Sequence, residues 1–279
     1  MNKLPLLLLS GGLDSTFLLW RTLQEGPCDV LYSDGGQSGV KLEAELKARE
    51  KIIAYCNHYA PHKVQQDLTT GYSYSFAGTP DLRYCQPMSW INAALAVVDA
   101  SRHSELLIGY VYDDGGFCRW LPEIEKIWES AQKITKWSDP IPVKWPLIDV
   151  PKVKILEYID PELATMIWVC EMATREDNGK IKACGKCRPC KTLRATLREY
   201  REENGHDFGT KLLHVRMARA SQETTTTTRR TIEHAAVRRV NAVYTRHVPG
   251  VYVPRAGGSN KKEEDTSDFN FKAVLDSLT

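Results

Sequence analysis

Two short segments of the 279-residue sequence carry side chains whose types and spacing can do chemistry. The first is Ser10-Gly11-Gly12-Leu13-Asp14-Ser15-Thr16, which follows an apolar run at residues 4–9 and leads into an apolar pattern of helical spacing from Thr16 to Leu23. Strand, tight glycine turn and helix in that order aim the first backbone N–H groups of the helix at an anion. Gly11 and Gly12 let the main chain approach phosphate oxygens, and Ser10 and Ser15 add hydroxyl donors. Asp14 is the odd member, because a carboxylate repels phosphate unless Mg²⁺ lies between them. The segment therefore reads as a cradle for a pyrophosphate and a metal ion; the plainer alternative is a glycine turn in which Ser15 or Asp14 caps the helix.

The second segment is Cys184-x-x-Cys187-x-x-Cys190, with Cys170 fourteen positions upstream. Four thiolates are the number a closed tetrahedral Zn²⁺ site requires, and Lys182, Lys186, Arg188 and Lys191 offset part of their charge. An iron–sulfur cluster is the rival reading, since spacing alone does not exclude it. The other four cysteines, Cys28, Cys56, Cys85 and Cys118, are scattered singly, and such clustering favours metal over disulfides in a cytosolic chain.

The elements that position these residues alternate. Asp29–Ser33 reads as a second strand, Val40–Tyr55 as a charged helix with one apolar face, and Lys63–Leu68 as a third strand. Met88–Ser101 reads as an alanine-rich helix, Glu105–Val111 as a fully buried strand, and Glu123–Trp137 as an amphipathic helix. Alternation of this kind predicts an α/β fold with a doubly wound parallel sheet and ligands at the carboxyl ends of its strands. Glycine turns at 11–12, 35–36 and 115–116 fall at such ends. From Asp139 a run of prolines marks a looser region, and Thr192–Glu203 is one more helix after the cysteines. We expect an ATP-binding α/β domain over 1–165, a small zinc-binding helical element over 166–204, and a basic helical extension with a flexible tail over 205–279. Between Gly205 and Arg255 there are nine Lys and Arg against three acidic residues, with a low-complexity run at Thr224–Thr228.

A formal net charge of +2 implies neither a nucleic-acid nor a membrane partner by itself. The leucine run that ends at Ser10 is too short for a secretory signal, and no apolar run approaches the roughly eighteen residues of a membrane span. A soluble cytoplasmic protein is expected.

The loop at Ser10–Thr16 resembles the PP-loop of the ATP pyrophosphatase superfamily, whose members split ATP between the α and β phosphates to leave an adenylate. In that superfamily the ATP pocket also uses the end of the second strand, here Tyr32 to Gly35. Together with Cys170 and the Cys-Gly-x-Cys-x-x-Cys cluster, the layout over residues 4–200 resembles the 7-cyano-7-deazaguanine synthase family. Asp34-Gly35-Gly36-Gln37 is similar to that family's Tyr-Gly-Gln segment, and Pro146-Leu147 is followed by Lys152. The resemblance implies ATP, Mg²⁺ and Zn²⁺ as cofactors, and adenylation of 7-carboxy-7-deazaguanine followed by attack of ammonia or another amine. It implies Ser10, Gly11, Gly12, Leu13, Asp14, Ser15 and Thr16 for ATP, and Asp14 with Lys152 for catalysis. It also implies Gln37, Asp113, Asp114 and Arg119 for the base. Cys118 lies beside the last of these. Trp90 and Asn92 are weaker, an alanine-flanked tryptophan on a helix being more often core. By analogy with the architecture the protein is a homodimer.

Three family segments are rewritten: Tyr-Gly-Gln becomes Gly-Gly-Gln, Pro-Gly-Arg-Asn becomes Pro87-Met88-Ser89-Trp90, and the Ser-Gly-Tyr-Pro-Asp-Cys-Arg stretch is rebuilt around Gly115-Gly116-Phe117-Cys118-Arg119. The expectation is a divergent member that forms an amide, a nitrile or a conjugate with an amine such as one on a protein acceptor. The alternative is a tRNA-thiolation enzyme, in which Arg229, Arg230, Arg238, Arg239 and Arg246 with Tyr244 and Tyr252 contact a nucleic-acid backbone. A non-catalytic module with a decayed loop is disfavoured, because Ser10, Asp14 and Ser15 are all present.

Overall fold

The computed structural model describes residues 3–34, 39–71, 86–111, 118–134 and 140–217. Its order is β1 (Leu4–Leu8), α1 (Leu13–Glu25), β2 (Cys28–Asp34), α2 (Gly39–Tyr59), β3 (Val64–Gly71), α3 (Gln86–Val97) and β4 (His103–Leu107). There follow α4 (Leu121–Ile134), β5 (Val143–Lys144), α5 (Lys152–Tyr158), α6 (Pro161–Ala164), β6 (Thr174–Arg175), β7 (Ile181–Lys182) and α7 (Arg188–Asn204). The sequence-based elements all appear with ends shifted by a few residues, and β5, α5 and α6 are additional structure in the proline-marked region.

Five parallel strands form one sheet in the order β3-β2-β1-β4-β5. The topological switch therefore lies at β1, whose neighbours β2 and β4 lead away in opposite directions, and this is where such sheets open a crevice. Period-two alternation sends Leu7, Leu9, Val30 and Leu107 to one face, with Phe17 and Leu19 of α1, Ile52 of α2 and Ile155 of α5. Leu6, Leu8, Leu31, Leu106 and Ile108 go to the other, with Ile91 and Ala94 of α3 and Trp128 of α4. Both faces are covered, as parallel sheets require.

β4 is shorter than the expected Glu105–Val111 strand. Its ladder ends at Leu107, and only the Ile108 N–H still reaches the Lys144 carbonyl, at 3.1 Å. Residues 108–111 then leave the sheet. Proline at 142 is tolerated because β5 is an edge strand and Pro142 supplies only its carbonyl, accepting from Leu106 N–H at 2.9 Å.

The cysteine segment contributes a two-stranded antiparallel hairpin, β6–β7, as well as a helix. Pro189 sits in the first turn of α7 and Gly205, at φ 68°, ends it. Cys190, Leu193, Leu197 and Tyr200 form its buried stripe and join the same apolar cluster as α1 and α5. Residues 209–217, which belong to a second unit, are helical. The basic residues expected to contact a backbone, and the acidic tail, lie outside the described residues. Among the described residues no helix is long and apolar enough to cross a membrane.

At the amino end of the sheet Asp29 is fully buried. It accepts from Arg102 at 2.5 and 2.9 Å, and lies 3.1 Å from Nε2 of His103. Nδ1 of His103 accepts the Asp99 N–H at 2.9 Å, so the ring proton sits on Nε2, facing Asp29. Burial alone would raise the Asp29 carboxyl, but the hydrogen bonds from Arg102 and His103 and the charge of Arg102 outweigh it and hold it below the ordinary carboxylate range. Asp29→Ala is expected to cost about 3 kcal/mol, the low end for a broken buried pair, because 34% of the Arg102 side chain stays in solvent. A depressed carboxyl stabilises above its unfolded value near ~3.9 and loses that contribution as pH falls through the lower folded value. Urea denaturation should therefore show the wild-type advantage intact at neutral pH and shrinking below about pH 4.

Candidate active site

The loop between β1 and α1 turns on Gly11, whose φ of 82° favours glycine. A Cβ there would also stand 3.3 Å from Cγ of Arg49 and 3.4 Å from the Glu45 carbonyl oxygen. The loop braces itself: Ser10 Oγ lies 3.0 Å from Ser15 Oγ, Gly12 N–H donates to Ser10 Oγ at 3.3 Å, and Ser15 Oγ donates to the Gly12 carbonyl at 3.3 Å. No side chain caps α1. Its amino end is left to other acceptors, which disposes of the plain N-cap reading of Asp14 and Ser15. Asp14 points instead to Lys152 at the start of α5, with Oδ2 and Nζ 3.2 Å apart. Sequence positions 138 apart are thus one ion pair, each side chain 17% exposed.

Ser10, Gly12, Asp14 and Ser15 line a cleft of about 710 Å³, its open side included, with Ser33, Lys41 and Glu45 along β2 and α2 and Trp90, Ile108, Gly109 and Tyr110 along α3 and the segment after β4. The Ser33 hydroxyl is buried without a hydrogen-bond partner among the described residues. Tyr32 donates its hydroxyl to Glu45 Oε2 at 2.5 Å, and Lys41 approaches Oε1 at 3.6 Å. Burial pushes the Glu45 carboxyl above its ordinary range, with Lys41 and Tyr32 pulling the other way. Beneath the loop Arg49, 2% exposed, donates Nε to the Leu9 carbonyl at 2.8 Å and a terminal nitrogen to Asp67 at 2.6 Å.

The four expected cysteines converge, with all four Sγ atoms within 4.8 Å of one another. Gly185, at φ 67°, folds the Cys184–Cys187 turn so that the Cys184 sulfur accepts from Lys186 and Cys187 N–H at 3.4 and 3.2 Å. Cys184 N–H in turn donates to Cys170 Sγ at 3.2 Å. Burial raises Cys184, but the two backbone donors outweigh it and bring the thiol to about 7. Burial raises Cys170 and Cys190. Four sulfurs this close cannot all be thiolates without a cation among them, so the donor set fits a metal ion. The cluster is tied to the loop as well: Trp168 N–H donates to the Gly11 carbonyl at 2.8 Å, and its indole N–H to the Cys170 carbonyl at 2.9 Å.

Gln37, Asp113 and Asp114 lie outside the described residues, as does the side chain of Arg119, whose backbone forms a 3-10 turn at Cys118–Trp120. Trp90, read from the sequence as core, lines the cleft. Glu45, Arg49, Lys41 and Gly109 went unnoticed. On α2 the charged residues are indistinguishable by sequence from a solvated face, whereas a glycine inside a buried apolar run was a legible signal of close backbone approach.

Fold and site together define an α/β protein whose parallel sheet opens a cleft at the glycine loop after β1. Compared with known proteins, the chain is 28% identical over 227 residues to the 7-cyano-7-deazaguanine synthase of Saccharophagus degradans, a match covering 73% of this chain and 96% of that one. It is a diverged relative of that enzyme. Among solved structures, the U34-tRNA thiolase of Methanococcus maripaludis with its [4Fe-4S] cluster aligns with 73% of this chain and 66% of its own, at 16% identity and a TM-score of 0.43. No family model matches the chain.

A Cβ on Gly109 would stand 3.2 Å from the backbone of Asp14 and Ser15, atoms that cannot yield without moving the loop. Gly109→Ala is therefore expected to weaken Mg·ATP binding about tenfold or more while the protein stays folded, as read by calorimetry beside circular dichroism.

Proposed function

We propose that this chain is an ATP-dependent ligase that adenylates 7-carboxy-7-deazaguanine and replaces AMP with a nitrogen nucleophile. The carboxylate oxygen attacks the α-phosphorus of ATP and pyrophosphate leaves; the nitrogen then attacks the acyl carbon and AMP leaves. With ammonia the product is the amide, which a second ATP-driven dehydration converts to the nitrile; with another amine it is a deazaguanine conjugate.

The observation that carries this reading is the Asp14–Lys152 pair at the mouth of the glycine loop. Lys152 occupies the first position of α5, where the helix dipole disfavours a cation. It pairs instead with Asp14 of the loop, 3.2 Å away. Its ammonium is positioned to meet the negative charge that develops at the α-phosphate, and the backbone amides at the start of α1 are positioned to meet the departing pyrophosphate. Asp14 would hold Mg²⁺, which neutralises phosphate charge when bound. Ser10 and Ser15 orient the phosphates through their hydroxyls. The relation to the Saccharophagus degradans synthase over nearly its full length supports the choice of substrate.

The four cysteines hold a structural Zn²⁺ in this reading. Zn–S bonds of about 2.3 Å place tetrahedral sulfurs ~3.8 Å apart, compatible with four Sγ atoms inside 4.8 Å, whereas a four-iron cube sets each cysteine on a different iron of a larger body.

Purified protein given Mg·ATP, 7-carboxy-7-deazaguanine and ammonia should release AMP only when the carboxylate is present, with mass spectrometry identifying amide, nitrile or protein adduct. AMP release independent of the carboxylate, or none, would reject the substrate. Lys152→Ala should slow AMP release about a hundredfold or more, in line with loss of one transition-state donor, with little change in melting temperature. Metal analysis should return one zinc per chain in a colourless protein, and chelation should lower the melting temperature; brown protein carrying iron would reject zinc.

A further inference from the structure

The cleft has two unlike walls. Along β2 and α2 it offers the Ser33 hydroxyl, the Lys41 ammonium and the Glu45 carboxyl. Along α3 and the segment after β4 it offers rings. Trp90 and Tyr110 lie 5.3 Å apart between centroids at 31°, and Tyr110 and Trp145 lie 5.8 Å apart at 35°. These separations and tilts are those of offset aromatic contacts, so the three rings form one continuous ladder. Its far end is fixed by the Trp145 indole N–H, which donates to Glu125 at 2.7 Å. Its middle ring is Tyr110, 5% exposed. Its near end, Trp90, is partly exposed and lines the cleft opposite the polar wall. The ladder also sits next to the chemistry, because Gly109, which packs against the backbone of Asp14 and Ser15, directly precedes Tyr110.

We propose that Trp90, backed by Tyr110 and Trp145, is the stacking platform for the planar heteroaromatic acceptor, and that it sets preference for a flat base over an aliphatic carboxylate. This rests on the function proposed above. An aliphatic acid offers a flat ring face only edge contact, whereas a bicyclic base covers it, and the loss of base–aromatic stacking is of a size readily measured. ATP, held through its phosphates by Ser10–Thr16, is left the polar wall. The division is physical: stacking recognises the π-face of the acceptor and is indifferent to its edge substituents, so the hydrogen-bonding edge is read elsewhere.

Calorimetric titration of the full chain tests this, with 7-carboxy-7-deazaguanine and Mg·ATP titrated separately into wild type, Trp90→Phe and Trp90→Leu. Trp90→Leu should weaken base binding about fivefold or more, the low end of measured stacking effects, and leave Mg·ATP binding within twofold, while Trp90→Phe should restore most of the base affinity. Weakened ATP binding with base binding unchanged would assign the platform to adenine and overturn the proposal. So would unchanged binding of both ligands, or a wild type that binds no base. Failure of the function reads differently: the wild type would bind the base, lose it in Trp90→Leu, and still release no AMP.

Discussion

The hydrogen bond from Trp168 N–H to the Gly11 carbonyl joins the two chemical segments of this protein, and most of the architecture is arranged around it. Gly11 presents that carbonyl because it is left-handed, and the Trp168 indole carries the link on to the carbonyl of Cys170. Loop conformation, the start of α1 and the cysteine cluster are therefore mechanically one object, buried in a single apolar cluster with α5 and α7. A glycine-rich loop by itself has many conformations, and fixing each residue costs roughly 1–2 kcal/mol of backbone entropy. Anchoring one end of it to the buried segment that carries Cys170 removes part of that freedom before any ligand arrives.

The floor of the loop is charged, and it is charged in pairs. Arg49 is almost fully buried, yet it satisfies a backbone carbonyl, a carboxylate and the face of Tyr32, over which its guanidinium carbon lies at 4.8 Å. Glu45 is matched by Tyr32 and Lys41. Such groups are tolerated at the core only because each has partners, and they give the floor a defined shape at the point where the Gly11 backbone rests on it. At the opposite end of the sheet the Asp29–Arg102–His103 group fixes the entry of β4 in the same way. The parallel sheet is thus pinned by polar contacts at both ends and held by apolar contacts between.

The sequence by itself determined the glycine loop, its flanking strand and helix, and the parallel α/β class, since these follow from local periodicity and from glycine at turns. It also determined which four cysteines come together, because soft donors at short spacing have few other uses. Only the tertiary structure decided that Asp14 and Lys152 are one pair, that Glu45 and Arg49 lie under the loop rather than in water, and that Trp90, packed against the core, also lines the cleft. Each of these depends on contacts between elements far apart in the chain: β4 crosses back beside β1, and α5 returns to the mouth of the loop. A charged residue on an amphipathic helix, or a tryptophan among alanines, has the same local pattern whichever way its helix is turned. Which way it turns is set by the packing of its neighbours.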